Sequence, residues 1–309
     1  MIAAEIPSVS VIMPAYNVGE LIRVAIESVL VQSHQDFEVI VLDDGSIDCT
    51  ADIAERLDDP RVRVYRREHR GPTVSMNEAI QQSRGSLLAF LDADDTWAPD
   101  KLERHVKIMT ARPELDMTFS RSQLMDENGR KLWIISPAWH GPLTYRDLLI
   151  SNPAANGSSV VARRDAIISA GGFDTSLTAG YDQELWLRLA LHRSDNIAPV
   201  PQVLNYYRRR TGQITKSWSV MEDAWRVIIE KHRQLHPQVV NSIEMQSRSN
   251  LCRYLAAIAY ENKNYHEGLR LLRESFRCAP IQFLGTSRSY LVASAMLSKA
   301  LLRSIPALR

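Results

Sequence analysis

No surplus of charge runs through this chain: 37 Lys and Arg stand against 36 Asp and Glu in 309 residues. Nucleic-acid binding usually leaves a basic imbalance, so that partner class is set aside. Cysteine is scarce. Cys49, Cys252 and Cys278 lie far apart without CxxC spacing, which excludes a disulfide framework and fits a reducing compartment. No apolar run approaches the roughly 18 residues of a spanning helix, and Met1 to Pro7 lacks the basic and apolar regions of a signal peptide. The expectation is a cytoplasmic protein, with peripheral contact at the inner face of a membrane as an open question. Neither GxGxxG nor GxxxxGKS/T occurs, which excludes a Rossmann dehydrogenase and a P-loop enzyme by motif. His232 and His236 are four apart but lack the Glu of HExxH, so they make no zinc motif.

What is present is an alternation of strand and helix. Val9 to Met13 is a β-rich run ended by Pro14. Val18, Leu21, Ile22, Ala25, Ile26, Val29 and Leu30 then recur at helical spacing. Glu38 to Leu42 reads as a second strand, Thr50 to Leu57 as a helix capped by Asp48, Val62 to Tyr65 as a third strand, Pro72 to Ser83 as a helix, and Leu87 to Leu91 as a fourth, wholly apolar strand. This order predicts an α/β fold, a parallel sheet covered on both faces. Ligands in such sheets bind beyond the carboxyl ends of the strands. The polar clusters fall there: Pro14 to Asn17, Asp43 to Ser46, and Asp92 to Asp95. Met117 to Val203 mixes strands and helices as an extension of the same domain, and the chain beyond Ser219 reads as helix only. The expected division is a catalytic domain over 1–218 and a helical region over 219–309, in which Leu251 to Pro280 forms a helical hairpin.

Asp92 and Asp94 point the same way in an extended segment, because side chains alternate with period two. Paired hard oxygen ligands suit Mg²⁺ or Mn²⁺, which take few protein carboxylates and complete their shell with phosphate and water. The plain alternative, a solvated acidic turn, is outweighed by the apolar strand before it and the second acidic loop, Asp43-Asp44-Gly45-Ser46. A carboxylate at that strand end can accept from a base or ribose; Asp-Gly is also an ordinary turn pair. Arg61, Arg63, Arg66, Arg67 and Arg70 read as a solvated strand edge.

Together these pieces resemble glycosyltransferase family 2. Val9-Ser10-Val11-Ile12-Met13-Pro14-Ala15-Tyr16-Asn17, Gln32-Ser33, Val39 to Ser46 and Leu87 to Asp95 stand in that family's order. Gly171-Gly172-Phe173-Asp174 and Leu185 to Leu189 are similar to its acceptor-side motif. The resemblance implies a GT-A fold, a nucleotide-diphosphate sugar donor, a divalent metal, Mg²⁺ or Mn²⁺, and inversion at the anomeric carbon. It places Pro14, Ala15, Tyr16 and Asn17 around the base, Asp44 on the base or ribose, Asp92 on the ribose or sugar side, and Asp94 on the metal. Asp182 matches the general base, although the Glu that precedes it in the family is Tyr181 here. Met76 stands where many members carry Arg. One of Arg208, Arg209 and Arg210, taken as Arg208, is placed near the diphosphate. The processive motif QxxRW is absent, which favours one sugar per encounter.

The implied function is transfer of a sugar to an acceptor hydroxyl, on a sugar, a lipid-linked sugar or a protein, in bacterial-type polysaccharide or glycoconjugate synthesis. A nucleotidyltransferase and a non-catalytic nucleotide-sugar binder are the alternatives. The tail from Arg273 to Arg309 carries six basic residues against Glu274; a membrane surface and the protein's own helices are its two candidate partners.

Overall fold

The computed structural model describes residues 6–210, 213 and 217–284. In chain order the elements are β1 (Val9–Ala15), α1 (Leu21–Leu30), β2 (Phe37–Asp43), α2 (Thr50–Glu55), β3 (Val62–Arg66), α3 (Pro72–Gln82), β4 (Leu87–Phe90), β5 (Thr96–Trp97) and α4 (Lys101–Ala111). There follow β6 (Met117–Met125), β7 (Lys131–Ile135), α5 (Tyr145–Ile150), a 3₁₀ turn at Gly157–Ser159, β8 (Val160–Arg163), α6 (Arg164–Ser169), α7 (Tyr181–His192) and β9 (Ile197–Arg208). The remaining helices are α8 (Trp218–Leu235), α9 (Pro237–Glu261), α10 (Tyr265–Cys278) and α11 (Pro280–Leu284).

The strands form one sheet in the order β3-β2-β1-β4-β8-β6-β9-β5, with β7 pairing on β6. β3, β2, β1 and β4 are parallel, as the alternating pattern predicts. The extension over Met117 to Val203 adds strands of mixed direction. β8 runs antiparallel to both β4 and β6. The physical reason is its entry: no crossover helix returns the chain to the start of β4. The segment before the 3₁₀ turn instead delivers β8 at the carboxyl end of that strand, and it runs back. Because β6 opposes β8 and β9 is parallel to β6, β1, β2, β3, β4, β6 and β9 all point one way. Their carboxyl ends share one edge.

The inner strands β1, β2 and β4 are buried almost throughout, which is why they read as continuous apolar runs. Alternate residues face opposite layers. Val11, Val39 and Ala89 join one core with Ile22 and Ile26 of α1 and Leu102 and Met109 of α4. Phe90 faces the other layer, where its ring meets Phe173 and the fully buried Trp186 of α7. The basic run sits at the sheet edge on β3 and is paired: Arg61 with Asp59, Arg63 with Glu38, Arg66 with Asp52 and Glu55, and Arg67 with Glu78.

By packing, the chain falls into two compact units, Met1–Tyr145 with Asn152–Arg210, and Arg146–Ser151 with Thr211–Arg309. Arg146–Ser151 joins the second unit through bonds the sequence gives no sign of. Ser247 Oγ donates to Leu149 O at 2.6 Å and Asn250 Nδ2 to Ile150 O at 3.2 Å. In that unit α9 and α10 form the expected hairpin around Cys252, Leu255, Ala259, Tyr265 and Leu271. The basic tail beyond Leu284 lies outside the described residues. Among the described residues no helix is long and apolar enough to cross a membrane.

Candidate active site

Three loops at the carboxyl edge are stitched to one another. After β1, Asn17 N donates to Ser46 Oγ at 3.0 Å, and Asn17 Oδ1 accepts from Ile47 N at 2.9 Å. Val18 N and Gly19 N both donate to Thr50 Oγ1. The N-cap position of α2 is Cys49, without a side-chain cap, and not Asp48 as the sequence suggests; Asp48 accepts from Thr50 N at 3.0 Å and braces the turn ahead of the helix. The third loop, 67–71, packs on the second. Gly45 has φ 78°, and a Cβ there would come within 2.7 Å of His69 N. Only glycine fits that contact.

Asp44 is buried, and protein donors surround its carboxylate. Arg70 N and Gly71 N each donate at 2.9 Å, Ser75 Oγ at 2.8 Å, and His69 Nδ1 lies 2.9 Å from Oδ2. Two oxygens offer about four acceptor sites, so this side chain fastens the third loop. Asn17 is likewise spent on the neighbouring loop. Tyr16 is the aromatic surface: it is 43% exposed and stacks on His69, ring centroids 4.2 Å apart. Pro14 and Ala15 are the last residues of β1, immediately before it.

The acidic loop follows β4. Asp92 N donates to Ser158 Oγ at 3.0 Å, which anchors the loop on the 3₁₀ turn. Trp97 Nε1 and Lys101 Nζ donate to Ser158 O and Ser159 O from behind. Burial, then the charges of Asp94 and Asp182, push the Asp92 carboxyl up to about 7. Asp95 is fully buried, accepts from Arg208 N at 2.8 Å and is held well above the ordinary carboxylate range by burial. Asp94 Oδ2 lies 2.6 Å from Arg210 Nε.

The three arginines at the end of β9 are thereby separated. Arg208, the residue expected near the diphosphate, is 4% exposed. Its Nε donates to Asp94 O at 2.7 Å and its Nη1 to Glu127 O at 3.0 Å. It is a strut that fixes the acidic loop to the β6–β7 turn, because its head is committed to backbone carbonyls. Arg210 is the arginine that brings charge to Asp94. Arg208→Ala is accordingly expected to destabilise the protein by about 2–3 kcal/mol, through buried carbonyls left without donors. Arg210→Ala is expected to leave the melting temperature nearly unchanged. Thermal unfolding of the two variants separates the roles; equal losses would refute this assignment.

Asp182 lies in the first turn of α7, after Gly180 in a left-handed conformation (φ 66°). Gln183 N donates to Asp182 Oδ1 at 2.7 Å, and Asn152 Nδ2 lies 3.5 Å from Oδ2. Burial raises its carboxyl above the usual range, and its charge is felt at Asp92 and Tyr181. Glu184 is fully buried and meets Arg188 through both carboxylate oxygens. Arg188 in turn donates to Ala170 O and Gly172 O, so that pair ties the Gly171-Gly172-Phe173 loop to α7. Asn77 of α3 holds the same loop from the other side, exchanging hydrogen bonds with Phe173 N and O at 2.8 Å. Ser158 and Asn77 are the residues around the site that the sequence did not single out; Arg210 stood among three candidate arginines and Arg188 within the acceptor-side motif.

The site thus holds Asp92, Asp94 and Asp182 as near neighbours, with an aromatic surface at Tyr16 along the same edge. Among the described residues no cluster of three or more His, Cys, Asp and Glu side chains is set to enclose a metal. The donor set fits an ion that takes one or two carboxylates and leaves positions for phosphate and water.

The chain matches the family model of glycosyl transferase family 2 over residues 10–169. It is 33% identical over 234 residues to TuaG of Bacillus subtilis, described as a teichuronic acid biosynthesis glycosyltransferase, covering 74% of this chain and 89% of that one. It is 26% identical to WfgD of Escherichia coli, a UDP-Glc:α-D-GlcNAc-diphosphoundecaprenol β-1,3-glucosyltransferase, over 70% of this chain and 85% of that one. An uncharacterized glycosyltransferase of Rickettsia felis, 30% identical over 60% of this chain, is matched over only 31% of its length. Among solved structures, TarS 1-349 of S. aureus in complex with UDP-GlcNAc aligns with a TM-score of 0.60 at 20% identity, covering 94% of this chain and 88% of that one. The mannosyltransferase PcManGT of Pyrobaculum calidifontis, in complex with GDP-Man and Mn²⁺, aligns at 0.61 and 17%, covering 99% and 89%. These two likenesses establish the GT-A fold, and the family model with TuaG establishes the lineage: this chain is a glycosyltransferase of family 2.

Proposed function

We propose that the enzyme transfers one sugar from a nucleotide-diphosphate donor to a hydroxyl of a lipid-linked sugar, with inversion, in the synthesis of a bacterial surface polysaccharide. The observation that carries the catalytic part is the grouping of Asp182 with Asp92 and Asp94 at the sheet edge. Asp182 accepts the acceptor's proton as the new bond forms. Its raised carboxyl makes it a stronger base than an exposed aspartate once ionised. Asp94 and Asp92 would hold a divalent cation, which supplies charge stabilisation to the departing diphosphate when bound. Tyr16 offers its ring to the base, and Asp44 acts through the loop it fastens. Arg210 adds positive charge beside the diphosphate. The acceptor class is supported by the diphosphoundecaprenol-linked substrate in the name of WfgD.

The test is a panel of nucleotide sugars screened with Mn²⁺ for thermal stabilisation, followed by product analysis with the donor found. Release of nucleoside diphosphate is expected. Release of pyrophosphate would mean nucleotidyl transfer, and no turnover above background would mean a binding protein.

The carboxyl cluster also sets a pH dependence. Asp92 and Asp182 have folded values above their unfolded ones. Their effect on stability is most favourable at low pH and is lost as pH rises through the folded values, for Asp92 through about 7. The metal-free protein is therefore expected to melt lower at pH 8 than at pH 5, with Mn²⁺ restoring more at pH 8. A melting temperature that rises over that interval without metal would count against the cluster.

A further inference from the structure

One short segment reaches both the base and the acidic loop. It runs from Asn152 to Ser159 and lies wholly in the first compact unit. Near its end, Ser158 Oγ receives Asp92 N at 3.0 Å. At its start, Asn152 Nδ2 lies 3.5 Å from Asp182 Oδ2. Between these points the backbone is tied to itself. Ala155 N donates to Asn152 O at 3.0 Å and Asn156 N to Ala154 O at 2.8 Å. Ser159 Oγ lies 2.6 Å from Ala154 O and 2.9 Å from Asn156 O. Ala155 takes φ 68°, a left-handed conformation that residues other than glycine rarely adopt. The Asn156 amide accepts from Asn205 Nδ2 of β9 at 3.0 Å and donates to Ser122 Oγ of β6 at 3.2 Å. A segment held this firmly fixes the spacing of the two groups it touches.

The side-chain amide of Asn152 is not explained by stability. Its Oδ1 is buried and has no hydrogen-bond partner among the described residues. A buried unpaired polar atom is destabilising, and an apolar side chain would avoid that cost. What the amide supplies is the contact with Asp182. Asp182 Oδ1 already receives Gln183 N at 2.7 Å, so a donor on Oδ2 fixes the remaining rotation of the carboxylate. Such contacts shorten when substrate closes on the base.

We infer that Asn152 is the positioning residue for Asp182: it turns the carboxylate toward the acceptor hydroxyl, and the segment from Asn152 to Ser159 sets the distance from that base to the acidic loop. This rests on Asp182 being the base, as proposed above.

The experiment compares Asn152→Ala and Asn152→Asp with wild type at pH 8. It reads the melting temperature and the steady-state release of nucleoside diphosphate, with Mn²⁺ and the donor found in the screen above. Asn152→Ala removes the donor and the unpaired oxygen together, so its melting temperature should stay close to wild type. Its kcat should fall roughly tenfold, the size of effect expected for one hydrogen bond to a charged group. Its KM for the donor should be unchanged. Asn152→Asp keeps the shape and puts a second carboxylate where the donor was, so it should be slower than Asn152→Ala. A residue needed for its shape alone would rank Asp above Ala, and that order would overturn the inference. So would wild-type kcat in Asn152→Ala, or a melting temperature well below wild type. In an Asp182→Asn background, Asn152→Ala should change the residual rate by no more than about twofold, because the group it positions is gone. A further tenfold loss in that background would overturn the inference and leave Asp182 standing as the base. An Asp182→Asn enzyme with the wild-type rate would instead remove the base, and its positioning with it.

Discussion

Asp182→Asn is expected to lower sugar transfer roughly 10²- to 10⁴-fold, the range for loss of a general base. The substitution keeps the shape and the bond from Gln183 N, and it removes the proton acceptor. Donor affinity should barely change, because the donor is proposed to bind at Tyr16 and the acidic loop. The loss should therefore fall in kcat with acceptor saturating, and a titration of donor with Mn²⁺ should superimpose on wild type. Glu184, two residues on, is the natural rival. Its burial against Arg188 makes it a fastener of the glycine loop. Glu184→Gln should accordingly lower the melting temperature and leave the residual folded enzyme able to turn over. An active Asp182→Asn beside a stable, inactive Glu184→Gln would exchange the two assignments.

The second large effect is at Asp94. Asp94→Ala is expected to cost roughly 10²- to 10³-fold in transfer, the range for removing one group that stabilises transition-state charge. EDTA should abolish wild-type activity, with Mn²⁺ or Mg²⁺ restoring it. The variant should need far more metal for its remaining rate. Asp95→Ala makes a contrasting control. Asp95 is turned inward and receives Arg208 N, so its loss should appear first as a lower melting temperature. Full wild-type activity in chelator would end the metal assignment.

Much of this could be read from the sequence, and the reason differs by element. β1, β2 and β4 are buried on both faces, so their apolar runs mark them within two residues of their observed ends. Asp92 and Asp94 stood out because their loop follows an apolar strand whose period fixes direction, whereas Asp182, in the first turn of α7, was marked only by the family resemblance. What stayed hidden depends on contacts between distant positions. Ser158 reaches Asp92 N across 66 residues, Asn77 reaches Phe173 across 96, and Arg210 reaches Asp94 across 116. No local pattern encodes such pairings. Which head of Arg208, Arg209 and Arg210 turns inward was unreadable for a related reason. Period two puts Arg208 and Arg210 on one side of an extended strand, but only the approach of the acidic loop decides which head is buried. The reversal of β8 was also unreadable, since it depends on where an irregular segment delivers the chain.

The most direct test of the central claim, a single displacement at a carboxylate-metal site with Asp182 as base, is the anomeric configuration of the product. With an α-linked nucleotide-diphosphate sugar as donor and a purified acceptor, proton NMR of the isolated product should show a β-linkage. An α-linked product would mean retention, and with it a mechanism in which Asp182 is not the base that activates the acceptor hydroxyl.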